Sequence, residues 1–355
     1  MKMCIIGDVH LGNSNGSVAF QKNFKQFCNN VLFPYLFKHN ITQVIQSGDL
    51  FDVRKSIHTE SLDNSKECFF NIMQSNNIKF SMILGNHDIF LRNSLEINTP
   101  ELVLAEYENI TIYKNPTTVN FDGVTIDFLS WICDENRQKT LEYIKNSKSD
   151  YCFAHLELVG FKMSKSYVAE HGDDPNLFNK YKQVWSGHYH QRSLSKNILY
   201  LGNPTQDDWS SVDEIKGFHI FDTETKEMEF IENPYNLYER VVYDGSNHKK
   251  NLKREFKDKF VRVVIENIND NELFEKYIKN IWEQSPYDVK IIENKVADET
   301  VDSSITLEEL NSSTFSVVPF LTQYTIKSNV NLTIKQQEFA NETYRKLYKN
   351  SKEIS

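Results

Sequence analysis

The sequence predicts an α/β protein with antiparallel strands at its margins, and three observations carry that prediction. Over the first two hundred residues, short apolar runs alternate with longer amphipathic stretches, the pattern of strands joined by helices. At 117–129 and 198–230 the runs shorten and turn residues crowd in, as in antiparallel hairpins. The 355 residues are 39% hydrophobic, 25% charged and 13% aromatic, which is a globular composition and excludes collagen-like, wholly disordered and membrane-spanning classes.

Taken in order, the apolar runs at 3–6, 43–45, 80–84, 151–154 and 184–185 read as buried strands. Between the first two, Phe20, Phe24, Phe27 and Val31 recur every three or four residues, so they form a core-facing helix stripe. Leu62, Phe69, Ile72 and Met73 share a second helix, and their pattern fits either the core or an interface between two copies. Phe121-Asp122-Gly123-Val124 reads as a hairpin turn. A second unit opens near residue 240. There a strand at 260–266 leads to Asp270, which caps a helix carrying Leu273, Phe274, Tyr277, Ile278, Ile281 and Trp282, and 289–292 returns as a strand.

The chain therefore divides into a main domain at 1–238, a small α+β cap at 239–296, a polar acidic linker at 297–305 and a C-terminal helical segment at 306–355. The last segment holds two capping boxes, Thr306 with Glu309 and Thr333 with Gln336. After the second, Phe339, Ala340, Thr343, Tyr344, Leu347 and Tyr348 fall on one helical face. That face suits packing on its own domain or docking on another protein.

Cys4, Cys28, Cys68, Cys133 and Cys152 are odd in number and never paired as CxxC, a usage that fits reduced thiols and neither a disulfide framework nor a zinc ribbon. The first apolar stretch stops at Gly7-Asp8, too early for a secretory segment, and no run reaches the length of a membrane span. A cytoplasmic location is expected. The 40 basic and 49 acidic side chains leave a formal charge of -9, which argues against a protein that coats nucleic acid by bulk attraction.

The chemistry is concentrated where the five strand runs end. They lead into Gly7-Asp8-Val9-His10, Gly48-Asp49-Leu50-Phe51-Asp52, Gly85-Asn86-His87-Asp88, His155 and Gly187-His188-Tyr189-His190. Each motif alone arises by chance in many proteins. Five of them, each behind an apolar run and four with a glycine that allows close backbone approach, are hard to produce by accident. Ligands gather beyond the carboxyl ends of α/β strands, so one sheet edge is expected to bring all five together. Residues i and i+2 of extended chain project to the same side, which lets Asp8 with His10, and His188 with His190, face one cluster. Carboxylate, imidazole and amide oxygen suit manganese, iron or zinc. Seven ligands exceed the needs of one ion, and two ions sharing a bridging carboxylate are suited to cleaving phosphate esters.

These motifs resemble, in full, the D-x-H, G-D-x-x-D, G-N-H-[DE], H and G-H-x-H signature of the calcineurin-like metallophosphoesterases over residues 7–190. Within that family the sequence is most similar to the SbcD-type nuclease subunits of DNA-break repair, a group that includes the recombination endonuclease subunits of T-even-like bacteriophages. The narrower likeness rests on Asp49-Leu50-Phe51-Asp52-Val53-Arg54, Trp185-Ser186-Gly187-His188, the length, the cap and the C-terminal helix.

The resemblance implies a four-layer αββα sandwich, here with the cap and the C-terminal segment. It implies a two-metal DNA exonuclease or endonuclease that hydrolyses phosphodiester bonds in recombination and repair, with manganese as the first choice of ion and magnesium, iron or zinc as alternatives. Asp8, His10, Asp49 and His190 would hold one ion, and Asp49, Asn86, His155 and His188 the other. His87 takes the family's catalytic place and Asp52 would orient Asp49, although cellular nuclease members often carry histidine there.

Arg54, Lys55, Arg92, Lys249, Lys250, Lys253 and Arg254 are the candidate DNA contacts, the last four within an eleven-residue stretch of six basic and two acidic side chains. The implied partners are DNA, an SbcC-type coiled-coil ATPase docked by the helix at 333–349, and a second copy of the chain, in the host cytoplasm if the protein is phage-encoded. No ATP-binding P-loop is present. A phosphatase or cyclic-nucleotide phosphodiesterase, and a non-catalytic interaction subunit, are the competing readings.

Overall fold

The computed structural model describes residues 1–161, 168–245 and 254–293. In chain order the strands are β1 (Lys2–Ile6), β2 (Gln43–Gln46), β3 (Lys79–Met82), β4 (Ile110–Ile112), β5 (Thr117–Phe121), β6 (Val124–Leu129), β7 (Tyr151–His155) and β8 (Gln183–Gly187). There follow β9 (Ser193–Ser195), β10 (Ile198–Tyr200), β11 (Gly217–Asp222), β12 (Met228–Glu232), β13 (Tyr238–Tyr243), β14 (Phe260–Ile265) and β15 (Asp288–Glu293).

They form two six-stranded mixed sheets, ordered β12-β11-β1-β2-β3-β4 and β5-β6-β7-β8-β10-β9, and one three-stranded sheet, β13-β14-β15. Within the first, β1 to β4 run parallel and β11 closes antiparallel on β1. Within the second, β6, β7, β8 and β10 run parallel between antiparallel margins.

Strand alternation divides the side chains between layers. Met3, Ile5, Ile45 and Phe221 of the first sheet meet Ile126, Phe128, Phe153, Trp185 and Leu199 of the second. On the other face of the first sheet, Cys4, Ile6, Val44, Phe80 and Phe218 lie under Phe24, Phe27, Leu36, Phe69 and Met73, side chains of the helical runs 18–38 and 59–75. Cys152, Ala154, Val184 and Tyr200 bury the outer face of the second sheet against Ile144 of the helix Arg137–Asn146 and against Phe161 and Tyr181. The result is helix, sheet, sheet, helix. All five cysteines are buried free thiols.

Several sequence expectations are met and some are sharpened. Phe69 and Met73 are fully buried, and Leu62 and Ile72 pack partly buried against the same core, so this stripe is engaged within the chain. The hairpin forms with Phe121 paired to Val124. Asp270 caps Asn271–Trp282 by accepting from the amides of Glu272 and Leu273. Of the six apolar positions expected on that helix, Phe274, Tyr277, Ile278 and Ile281 face the cap core, whereas Leu273 and Trp282 are exposed because they fall outside its i, i+3, i+4, i+7 stripe. The cap sheet also gains β13, parallel to β14.

Residues 1–294 form one compact unit. At the foot of the cap sheet, Tyr238, Phe260 and Tyr287 pack with Trp209 and Phe20, and Gln206 Oε1 accepts from the amides of Leu237 and Tyr238. No described helix is long and apolar enough to cross a membrane. The linker, both capping boxes and the C-terminal helix at 333–349 lie outside the described residues.

Candidate metal centre

The five motifs meet, but not at one sheet edge. The first three follow β1, β2 and β3 of the first sheet, and His155 and the His188–His190 motif follow β7 and β8 of the second. This corrects the single-edge expectation. Stacking places the carboxyl ends of both parallel strand sets together, so the cleft lies between the layers.

Backbone hydrogen bonds join the loops before any side chain acts. The Asp49 carbonyl accepts from the amides of Val9 (3.1 Å) and His10 (3.0 Å). The buried Asp88 carboxylate accepts from Leu50 (3.0 Å), Phe51 (3.2 Å) and Gly85 (2.9 Å), which ties the second loop to the third. Burial, then the charge of Asp49, pushes this carboxyl up to about 7 against the pull of those amides. His10, Asp49 and His188 all take positive φ, at 52°, 51° and 91°, so three donors sit in strained backbone directly behind their strands. Gly85 and Gly187 are required by close approach: a Cβ on the first would strike Asp49, and on the second Asp8 and Ser47.

Three groups of donors lie close enough together to hold an ion, one of them His10, Asp52 and His87. Asp8, His10 and His190 offer atoms within 4.8 Å of one another, as do Asp49, His155 and His188. His10 Nε2 lies 3.0 Å from His190 Nε2 and 3.9 Å from Asp49 Oδ2, which brings Asp49 beside both groups. His155 Nε2 is 3.3 Å from Asp49 Oδ2 and 3.0 Å from Asn86 Oδ1, and His188 Nδ1 is 2.9 Å from the same amide oxygen. Asp8, Asp49 and His155 are essentially without solvent exposure.

The second nitrogen of each inward-facing histidine fixes which atom is offered. His155 Nδ1 faces the Ser47 carbonyl at 2.7 Å, His10 Nδ1 faces Asp52 Oδ1 at 3.2 Å, and His190 Nδ1 pairs with the Asp207 carboxylate. Those oxygens only accept, so Nδ1 keeps its proton and Nε2 is the atom that becomes the ligand once a cation displaces any proton on it. His188 is turned the other way, with Nε2 4.0 Å from Glu157 and its ring against Trp131.

Donor chemistry fits a cation. His10 Nε2 and His190 Nε2, 3.0 Å apart, would both reach one ion. Proton affinities record the same demand for positive charge. Burial would lower His10 and His155, yet Asp52, Asp49 and Asp8 raise the first, and Asp49 and Asp8 the second, each to about 9. Burial opposes ionisation of Asp49, but the His155 and His10 imidazoles hold it well below the usual carboxylate range. Burial lifts Asp8, and burial together with cationic His155 lowers His188 to about 3.

The remaining sequence candidates fall around this centre. The backbone N–H of His87 donates to Asp49 Oδ1 (2.7 Å), its Nδ1 donates to the Asp52 carbonyl (2.6 Å), and its ring lies edge-on to His10 at 5.0 Å. Asp52 therefore contacts the two histidines; its carboxylate faces His10 in place of the expected Asp49. Arg54, Lys55 and Arg92 line a pocket that includes His87. Arg254 donates to the Arg240 carbonyl (3.2 Å) and lies 3.7 Å from Glu239, while Lys249, Lys250 and Lys253 lie outside the described residues.

Sequence reading missed Ser47 and Asp207. Ser47 Oγ donates to Asp8 Oδ1 (3.0 Å), and Asp207 holds His190 while accepting from Asn203 (2.9 Å) and Ser211 (2.7 Å). A signal existed for the second: Leu199-Tyr200-Leu201-Gly202-Asn203 repeats the texture of an apolar run followed by glycine and a polar residue, and Asp207 follows within one short loop.

The family of calcineurin-like phosphoesterases matches residues 1–213. The chain is 32% identical over 328 residues to exonuclease subunit 1 of Enterobacteria phage T4, covering 91% of this chain and 94% of that protein. It is 23% identical over 297 residues to the SbcD subunit of the SbcCD nuclease of Staphylococcus epidermidis, covering 70% of this chain and 77% of that protein. Among solved structures, an archaeal phosphodiesterase matches with a TM-score of 0.36 at 17% identity, over 66% of this chain and 100% of that one.

Proposed function

The chain belongs to the calcineurin-like phosphoesterases, and on that premise we propose that it is the nuclease subunit of a two-protein DNA-processing complex acting in recombination and repair. The observation that carries this reading is the pair of donor clusters meeting at Asp49, with His87 fixed against the same carboxylate. In this reading Asp8, His10, Asp49 and His190 hold one divalent ion and Asp49, Asn86, His155 and His188 a second, with manganese the first ion to test. Bound there, the two ions supply Lewis-acid charge for the phosphoryl oxygens and make water nucleophilic near neutral pH.

The chain's own groups do the positioning. Ser47 and the His188 amide (2.8 Å) hold Asp8, and the His87 amide holds Asp49. Asp52, Ser47 and Asp207 keep Nε2 of His10, His155 and His190 turned inward. With Nδ1 committed to the Asp52 carbonyl, His87 has Nε2 left for a phosphoryl or departing oxygen, to which its imidazolium form would donate. Arg54, Lys55 and Arg92 are the phosphate contacts nearest to it, and Lys249, Lys250, Lys253 and Arg254 are more distant candidates.

Both nuclease relatives are named as subunits. We assign the partner as an SbcC-type coiled-coil ATPase docked by the segment 306–355, with a second copy of this chain completing the assembly. The charge of -9 supports division of labour: the acids serve the cations, and the partner holds the DNA.

The test is hydrolysis by the purified protein with manganese, given labelled double-stranded DNA, single-stranded DNA and a generic phosphomonoester. Nucleotide release from DNA that disappears in His87→Ala, while manganese binding persists, is the expected result. Turnover of the monoester alone would reassign the protein to the phosphatases.

A further inference from the structure

Beside His87 and Asp52 an open pocket is lined by three cations, Arg54, Lys55 and Arg92, and three apolar side chains, Val53, Phe90 and Leu91. Phe90 and Leu91 are 41% and 52% exposed. Among the described residues, none of the three cations has an ion-pair partner. Burial and the nearby charge of Arg92 press the Arg54 guanidinium below its ordinary affinity for protons, so two like charges are held close together next to the centre.

The loop that presents Phe90 is pinned. The Phe90 amide donates to the Ile97 carbonyl (2.9 Å), and the Thr99 amide donates to the Asp88 carbonyl (2.7 Å), closing the loop on the residue after His87. Midway, Leu95 is buried with Leu84, Ile89 and Cys133, and its amide donates to Glu135 (2.7 Å). With the backbone that carries it fixed this way, the ring loses less conformational entropy when something stacks on it. Its face already attracts a cation, since Lys55 Nζ lies 5.7 Å from the ring centroid.

An apolar, aromatic surface among unpaired cations, sharing a wall with the residue that faces the phosphate, matches one ligand chemistry: a nucleobase with its flanking phosphates. We propose that Phe90 is a stacking platform for the base of the nucleotide adjoining the scissile phosphate, with Arg54, Lys55 and Arg92 contacting the neighbouring phosphodiesters. This rests on the nuclease reading and deepens it. A base paired within a duplex cannot reach the ring, so the pocket selects an unpaired strand or a frayed end.

The experiment compares two single strands of equal length and charge, one carrying its bases and one with abasic tetrahydrofuran nucleotides, cleaved by the full chain with manganese. Wild type is expected to cleave the base-bearing strand faster in kcat/KM by between about five-fold and about a hundred-fold, the range of one base–aromatic stack. Phe90→Ala should bring that strand down to the abasic rate while leaving the abasic rate within about two-fold, and Phe90→Trp should restore the difference. An equal loss on both strands would make Phe90 merely structural and overturn the proposal. So would a wild type that cleaves both strands equally well. Cleavage of neither strand would remove the nuclease reading, and this inference with it.

Discussion

Asp207 and Gly85 show how much of the centre depends on residues that would touch neither metal nor substrate. Asp207 holds the Nδ1 proton of His190, and burial, which would raise its own affinity for protons, is overcome by that imidazole, so the carboxyl stays ionised well below its usual range. Replacing it with alanine frees the ring to turn and to change tautomer. Manganese affinity measured calorimetrically should fall about ten- to a hundred-fold, with the circular dichroism spectrum unchanged. Gly85→Ala acts differently, because its Cβ would meet both the amide and the carboxylate of Asp49. The loops must part, and loss of several kcal/mol of stability, on the scale of overpacking together with broken buried hydrogen bonds, should appear in urea unfolding, along with loss of metal binding. Sequence reading singled out the seven candidate donors and His87, which the fold brings together, because each lies at or just after the end of an apolar run, often through a glycine. It missed Ser47 and Asp207, whose partners lie more than 100 and 17 residues away respectively and are fixed only by loop packing.

At the scale of elements, strand periodicity was the most legible feature and layer membership the least. Met3 and Ile5 alternate with Cys4 and Ile6 whichever sheet they enter, so the run at 3–6 could be recognised as a strand while its pairing with distant β11 could not. That distant strand carries a pH-sensitive group. His219 on β11 is buried, accepts the Arg192 guanidinium at Nε2 (3.0 Å), and is lowered to about 3 first by burial and then by that charge. Its unfolded value is near 6.5, so between pH 6.5 and 3 the unfolded chain binds the extra proton. Stability from this site is therefore complete above pH 6.5 and is lost as the pH falls, by at most about 1.4 kcal/mol per pH unit. His219→Gln should flatten that part of a plot of urea midpoint against pH; an unchanged slope would place the acid sensitivity elsewhere. In the cap, Asp270→Ala removes the acceptor for two amides of Asn271–Trp282 and should cost about 1 kcal/mol, with DNA hydrolysis retained.

For the whole molecule, the joining of two sheets explains why one chain can be acidic overall and still be built for a polyanion. Asp8 and Asp49 come from adjacent strands of one sheet, and His155, His188 and His190 from the other, so the full donor set exists only when the sandwich is closed. Metal binding is thereby linked to folding, and saturating manganese should raise the thermal midpoint. Removing residues 330–355 should leave manganese-dependent DNA hydrolysis largely intact and abolish co-purification with an SbcC-type ATPase, the proposed partner; retained co-purification would return that segment to its own domain. The central claim is that the two clusters hold two ions sharing Asp49. Its most direct test is electron paramagnetic resonance of the manganese-loaded full chain, read with the metal content per chain. Two ions per chain are expected, with an exchange-coupled spectrum that Asp49→Ala uncouples. One ion per chain, or two ions with the spectrum of isolated manganese, would contradict it.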